Sequence, residues 1–198
     1  MSGRRKSLKR IGMMNRLIGL CLTFLVAAPV ATMLSPHDAR AENIKLAGFF
    51  GTFKGNGVSK NRDSIYFGVT VRDLDVRIEP AGDGFAVEWK TVMRRGGDPN
   101  NPKVRQKAQR MVFAPTGQPG VYRAADNGDL LSGQPYSWAH IRNASLIIHI
   151  MTIDRTGSYE MQSYTRTLEP TGMSFIFERI KNDEPVRTVK GKLVKYSN

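Results

Sequence analysis

From about Gly48 to Lys195, hydrophobic and polar residues alternate, or run apolar for a few positions, in short stretches closed by Gly, Pro, Asn or Asp. No stretch carries the 3.6-residue period of a helix, and a period of two with frequent turn residues reads as strand after strand. The strands fall near Phe49 to Val58, Ile65 to Glu79, Phe85 to Arg94, Arg105 to Ala114, Val121 to Ala125, Tyr136 to Arg142, Ser145 to Asp154, Ser158 to Leu168, Met173 to Ile180 and Val186 to Lys195. Most links are short, which makes successive strands antiparallel neighbours and predicts an all-β fold, a single antiparallel up-and-down barrel of about 8–10 strands.

Local details follow from the same pattern. Ala81-Gly82-Asp83-Gly84 predicts a tight hairpin, because its glycines accept the positive φ such turns need. Gly96 to Pro102 is the longest polar connection and the candidate for a mobile flap. In the second strand the apolar positions change phase, from Ile65, Phe67, Val69 and Val71 to Leu74, Val76 and Ile78. A one-residue slip turns a buried face outward, so a β-bulge near Arg72-Asp73 is expected.

The first 41 residues read as an export signal. Arg4, Arg5, Lys6, Lys9, Arg10 and Arg16 form a basic start, Leu17 to Leu34 an apolar run, and Ala39-Arg40-Ala41 a small-x-small cleavage pattern. Residues 1–41 are thus expected to be removed after Ala41, leaving a barrel domain of residues 42–198 in the periplasm or outside the cell. An uncleaved membrane anchor is the alternative, against which Pro29 and Pro36 interrupt the run. Ordinary secretion is expected, with twin-arginine export, after Arg4-Arg5-Lys6-Ser7-Leu8-Lys9, as the other route. No transmembrane segment is expected after cleavage.

Charge changes its meaning once the leader is set aside. The whole chain carries +13, whereas residues 42–198 hold 23 Lys and Arg against 16 Asp and Glu, a net +7. No nucleic-acid partner is expected on that balance. The densest basic cluster, Arg94, Arg95, Lys103, Arg105, Lys107 and Arg110, is a candidate patch for an anionic envelope partner, or else a solvated loop and strand face. Cys21, the single cysteine, lies in the leader. Disulfides, thiolate metal sites and cysteine nucleophiles are thereby excluded from the barrel, and no metal site is expected.

A barrel interior is where a ligand sits, so inward-facing positions are the candidate site. Phe85, Val87, Trp89, Thr91 and Met93 share one face of their strand, and the same alternation groups Met111 with Phe113, Met161 with Tyr159, and Met173 with Phe175 and Phe177. Methionine beside aromatics makes an adaptable apolar wall. His149 and Met151, with Ile147 and Ile153, are placed on the same wall, and Trp138 and His140, with Tyr136 and Arg142, at a barrel mouth suited to a carboxylate. A core histidine and an ordinary amphipathic strand are the plainer readings of those two groups, as a solid core is of the wall. Motifs for catalysis are absent from residues 42–198, and Asp73, Asp75 and Glu79 beside Arg77 read as a solvated charge ladder, so no catalytic residue is assigned.

The segment Leu46-Ala47-Gly48-Phe49-Phe50-Gly51-Thr52-Phe53-Lys54-Gly55-Asn56-Gly57 resembles the N-terminal signature of calycin barrels, the lipocalin, fatty-acid-binding and nitrobindin group, with Phe53 where tryptophan is usual. The resemblance implies a ligand-holding barrel. The nitrobindin likeness also implies haem held by a histidine, which His149 offers as an alternative; otherwise no cofactor is expected. The leading expectation is an exported, non-catalytic barrel that binds or carries a small hydrophobic or amphipathic ligand. The alternatives are an envelope interaction protein with a packed barrel and a basic loop, and a haem-binding or isomerase barrel using His149.

Overall fold

A computed structural model describes residues 44–61, 69–94 and 104–197. The leader, the expected flap at 96–102, and Ile65, Phe67, Arg95 and Lys103 lie outside them. Ten strands run β1 Gly51–Asn61, β2 Val69–Ala81, β3 Gly84–Arg94, β4 Val104–Pro115, β5 Val121–Ala124, β6 Tyr136–Arg142, β7 Ser145–Ile153, β8 Tyr159–Glu169, β9 Gly172–Lys181 and β10 Glu184–Ser197. Among the described residues, helix is confined to two 3-10 turns, Leu46–Phe49 and Leu130–Ser132. Each strand pairs antiparallel with the next, and β1 closes on β10, so the sheet is a complete barrel with no free edge.

The expected turn chemistry is present. Gly82 at φ +56° and Asp83 link β2 to β3, and Asn182 and Asp183, at φ +47° and +66°, link β9 to β10. Closure depends on a close approach at Gly55, where a side chain would run into the backbone carbonyl of Lys192 on β10. Here the glycine lets the first and last strands meet.

One end of the barrel is filled. Phe49, delivered by the first 3-10 turn, packs into one core with Phe53, Ile78, Phe85, Phe113 and Met173. Phe85 stacks on Phe113 with ring centroids 4.9 Å apart, and Tyr122 meets Phe85 edge-on at 5.2 Å. Burying each such ring contributes roughly 2–3 kcal/mol, so this plug fixes the barrel's shape. The other end of the same strands is hollow.

The bulge expected near Arg72-Asp73 is not formed. Pairing of β2 runs without a break from Lys60↔Val69 to Gly51↔Ile78 on one side and from Arg72↔Met93 to Ala81↔Gly84 on the other. Register irregularities occur instead between Thr52 and Phe53 and between Pro185 and Arg187. The phase change has another cause: Arg72 shares the inward face of Leu74, Val76 and Ile78, and Val71 points out with 44% of its surface exposed. A cation, not an extra residue, occupies the inner wall at that position.

Candidate functional site

The hollow end holds a cavity of about 550 Å³. Its apolar wall comes from Leu74 and Val76 of β2, Trp89 and Met93 of β3, Ile150 of β7, Phe175 and Phe177 of β9 and Val189 of β10. Its polar wall is cationic on balance, with Arg72, Lys107, Arg166, Arg179 and Arg187 facing Glu160, Gln162 and Tyr164. The volume is that of an ordinary small-molecule site, with apolar surface and a few convergent polar groups.

β8 supplies most of that polarity. Its inward face reads Glu160, Gln162, Tyr164 and Arg166, the reverse of an apolar-in strand. Three of the four satisfy one another. Tyr164 donates to Gln162 Oε1 at 2.9 Å, Gln162 donates to Glu160 Oε1 at 2.8 Å, and Arg179 donates to Glu160 Oε2 at 2.6 Å. The bond from Arg179 holds the Glu160 carboxyl below its usual range, and burial pushes the Tyr164 hydroxyl up to about 12. At neutral pH the row is therefore one carboxylate, one guanidinium and a protonated phenol.

Arg166 stands apart from that row. Its side chain is buried, and Nε, Nη1 and Nη2 have no hydrogen-bond partner. Three rings surround it, with Cζ 5.4 Å from the centroid of Trp89 and 5.6 Å from those of Tyr164 and Phe175. Burial pushes its pKa down to about 10, so it remains charged at neutral pH. A buried cation without a carboxylate costs several kcal/mol, which ring faces offset only in part. Arg72, half-buried toward the mouth, also has an unpartnered Nε, and burial followed by the neighbouring Arg187 charge lowers its pKa.

The candidate residues read from the sequence divide between the two faces. Trp89, Met93, Phe175 and Phe177 line the cavity, while Phe85, Val87, Met111 and Phe113 belong to the buried core toward the plugged end. Trp138, His140, His149, Met151, Tyr159 and Met161 lie on the outer face, opposite in phase to Ala139, Ile148, Ile150 and Tyr164. There His149 stacks between Trp138 and His140, at 4.8 and 5.4 Å, and its Nδ1 meets Ser163 Oγ at 2.9 Å. Burial first, and the charge of His140 second, lower the His149 pKa. Both described histidines thus point away from the cavity.

That misplacement has a simple origin. β7 reads Leu146-Ile147-Ile148-His149-Ile150-Met151, apolar on both faces, so alternation does not say which face is inside. On β8 the rule that apolar faces inward selects the wrong set, because the inner wall there is polar.

The basic cluster is likewise split. Lys107 lines the cavity and Arg105 pairs with Met93 on the same register, whereas Arg110 lies outside in an ion pair with Glu79 at 3.2 Å. Arg94 ends β3. Arg77 also reaches Glu79, at 2.9 Å, on the outer charge ladder. Among the described residues no group of three or more His, Cys, Asp or Glu side chains is placed to hold a metal ion, and no helix is long and apolar enough to cross a membrane.

The polar interior residues missed by sequence reading are Arg72, Glu160, Gln162, Tyr164, Arg166, Arg179 and Arg187, and Leu74, Val76, Ile150 and Val189 were missed on the apolar wall. For Arg72 the signal was present, as the phase change in β2. For Arg166 it was a lone arginine in phase with Tyr164 and two residues from it.

No family model matches the chain, and neither does any curated protein. Among solved structures, the S-type phycobiliprotein lyase CPES from Guillardia theta is similar over 78% of this chain and 94% of that one, at 8% identity and a TM-score of 0.37. A superposition that loose leaves the content of the cavity to be read from this chain's own side chains.

Proposed function

We propose that this chain is an exported, non-catalytic binding protein that holds one small amphipathic molecule inside its barrel. The observation that carries the reading is the cavity of about 550 Å³, walled by Trp89, Phe175 and Phe177 on one side and by unevenly satisfied polar groups on the other. A barrel packed solid needs no such space, and the plugged end shows that this sequence fills space where filling is needed. The leader pattern of residues 1–41 supports delivery to the periplasm or beyond.

The reading is tested with an apolar fluorescent dye. In a Trp138→Phe background Trp89 is the sole tryptophan, and it lies on the cavity wall. Saturable dye enhancement with a matching change in Trp89 emission is expected. A flat response from several dyes, with the fold intact by circular dichroism, refutes an accessible cavity.

A further inference from the structure

We propose that the molecule held in the barrel carries a carboxylate, and that this carboxylate docks on the guanidinium of Arg166. The inference rests on the binding-protein reading and adds the chemistry of the ligand's head. Arg166 is buried on the cavity wall, with all three guanidinium nitrogens lacking partners. The other inward polar side chains of β8 have found partners: Tyr164, Gln162 and Glu160 form a continuous chain of hydrogen bonds, which Arg179 of β9 joins at Glu160. Glu160, the inward carboxylate of that strand, is already occupied by Arg179 and Gln162. The fold therefore commits its own anion elsewhere and leaves Arg166 without a counterion.

The surroundings narrow the choice of anion. Trp89, Tyr164 and Phe175 crowd the guanidinium at 5.4 to 5.6 Å, so the space near it is bounded by flat rings. A planar carboxylate presents two oxygens to two parallel N–H groups in one plane, the fork geometry arginine favours. A tetrahedral phosphate needs more room and brings a second charge. Beyond the head, Ile150, Phe177, Val189 and Leu74 offer an apolar wall for a hydrocarbon body. Arg166 acts as anchor, and the apolar wall supplies the remaining contact.

The test uses delipidated Trp138→Phe protein, read by Trp89 emission and by isothermal titration. The probes are dodecanoate, dodecanol and dodecyl phosphate, each below its micellar range. Dodecanoate is expected to bind at least tenfold more tightly than dodecanol, and more tightly than dodecyl phosphate. In Arg166→Met the dodecanoate preference disappears while dodecanol binding is kept or improved, which shows that the cavity survives; Arg166→Lys restores part of the preference. Equal binding of dodecanoate and dodecanol by the unsubstituted anchor overturns the carboxylate assignment and leaves the binding-protein reading standing. Tighter binding of dodecyl phosphate overturns the head group assigned. Failure of all three probes overturns both readings together.

Discussion

Replacing Arg166 by methionine should make the ligand-free protein more stable, which is the opposite of what most core substitutions do. The size follows from the surroundings. Burial lowers the guanidinium pKa from an ordinary 12.5 to about 10, equivalent to about 3 kcal/mol by which folding disfavours the charged form. Contacts with three aromatic rings return about 1–2 kcal/mol of this. Methionine matches the arginine stem as far as Nε, and it has no unpaired donors and a flexible thioether that packs well on rings. The net expectation is a gain of about 1–2 kcal/mol, or a rise of about 2–8 °C in melting temperature for a domain of this size. The comparison belongs at neutral pH, because a cation with a depressed folded pKa carries its full penalty below about pH 10 and loses it only as pH rises further. Urea unfolding of delipidated protein, followed by circular dichroism, measures it. Delipidation matters, since bound ligand stabilises the native state by mass action. If Arg166→Met is less stable than the parent by 1 kcal/mol or more, the guanidinium is satisfied inside the protein and has no need of a ligand anion.

Other expectations concern the frame around the site. Phe113→Ala, in the plug, should cost about 3–5 kcal/mol in urea unfolding while leaving dodecanoate affinity in the surviving native protein within about twofold. Gly55→Val should cost at least about 2 kcal/mol or abolish folding, because the new side chain meets the Lys192 carbonyl at the β1–β10 closure; a freely tolerated valine, with an unchanged urea midpoint, contradicts that closure. Stability should fall as pH drops from 7 toward 5. His149 and His140 both have depressed pKa values in the folded state, by burial first and then by the charges of His140 and Arg142 respectively, so the unfolded chain takes up protons earlier. Asp129, Asp154 and Glu160 also have lowered values, but their contribution is lost as pH falls from the ordinary carboxylate pKa toward the folded one, a loss centred below this window. The double variant His140→Asn, His149→Asn should flatten the decline, measured as urea midpoints at pH 7 and pH 5.

The strand train was legible because a period of two and the turn residues between strands are both local signals. Within the described residues the ten strands fall within a few residues of where alternation and Gly, Pro, Asn or Asp place them, the expected start of the second at Ile65 lying outside those residues, and the Gly82-Asp83 turn is where its glycines predict. Which face looks inward was legible only where one face is plainly apolar, as on β3. On β7 both faces are apolar, and on β8 the inner face is the polar one, so the same rule put His149, Met151, Tyr159 and Met161 on the wrong side. The cavity's chemistry was hidden for the same reason. A site that needs polar groups inside breaks the rule by which an inside is recognised, and the phase change at Arg72 was the visible trace of that break.

Native mass spectrometry on protein purified from the cells that make it, without delipidation, tests the central claim most directly. A hollow barrel with an Arg166 anchor predicts a one-to-one adduct of small-molecule mass. The adduct should be released by organic solvent, recovered as a carboxylic acid in the extract, and lost in Arg166→Met. Bare protein mass for both forms, with no adduct formed on incubation with dodecanoate, contradicts the account.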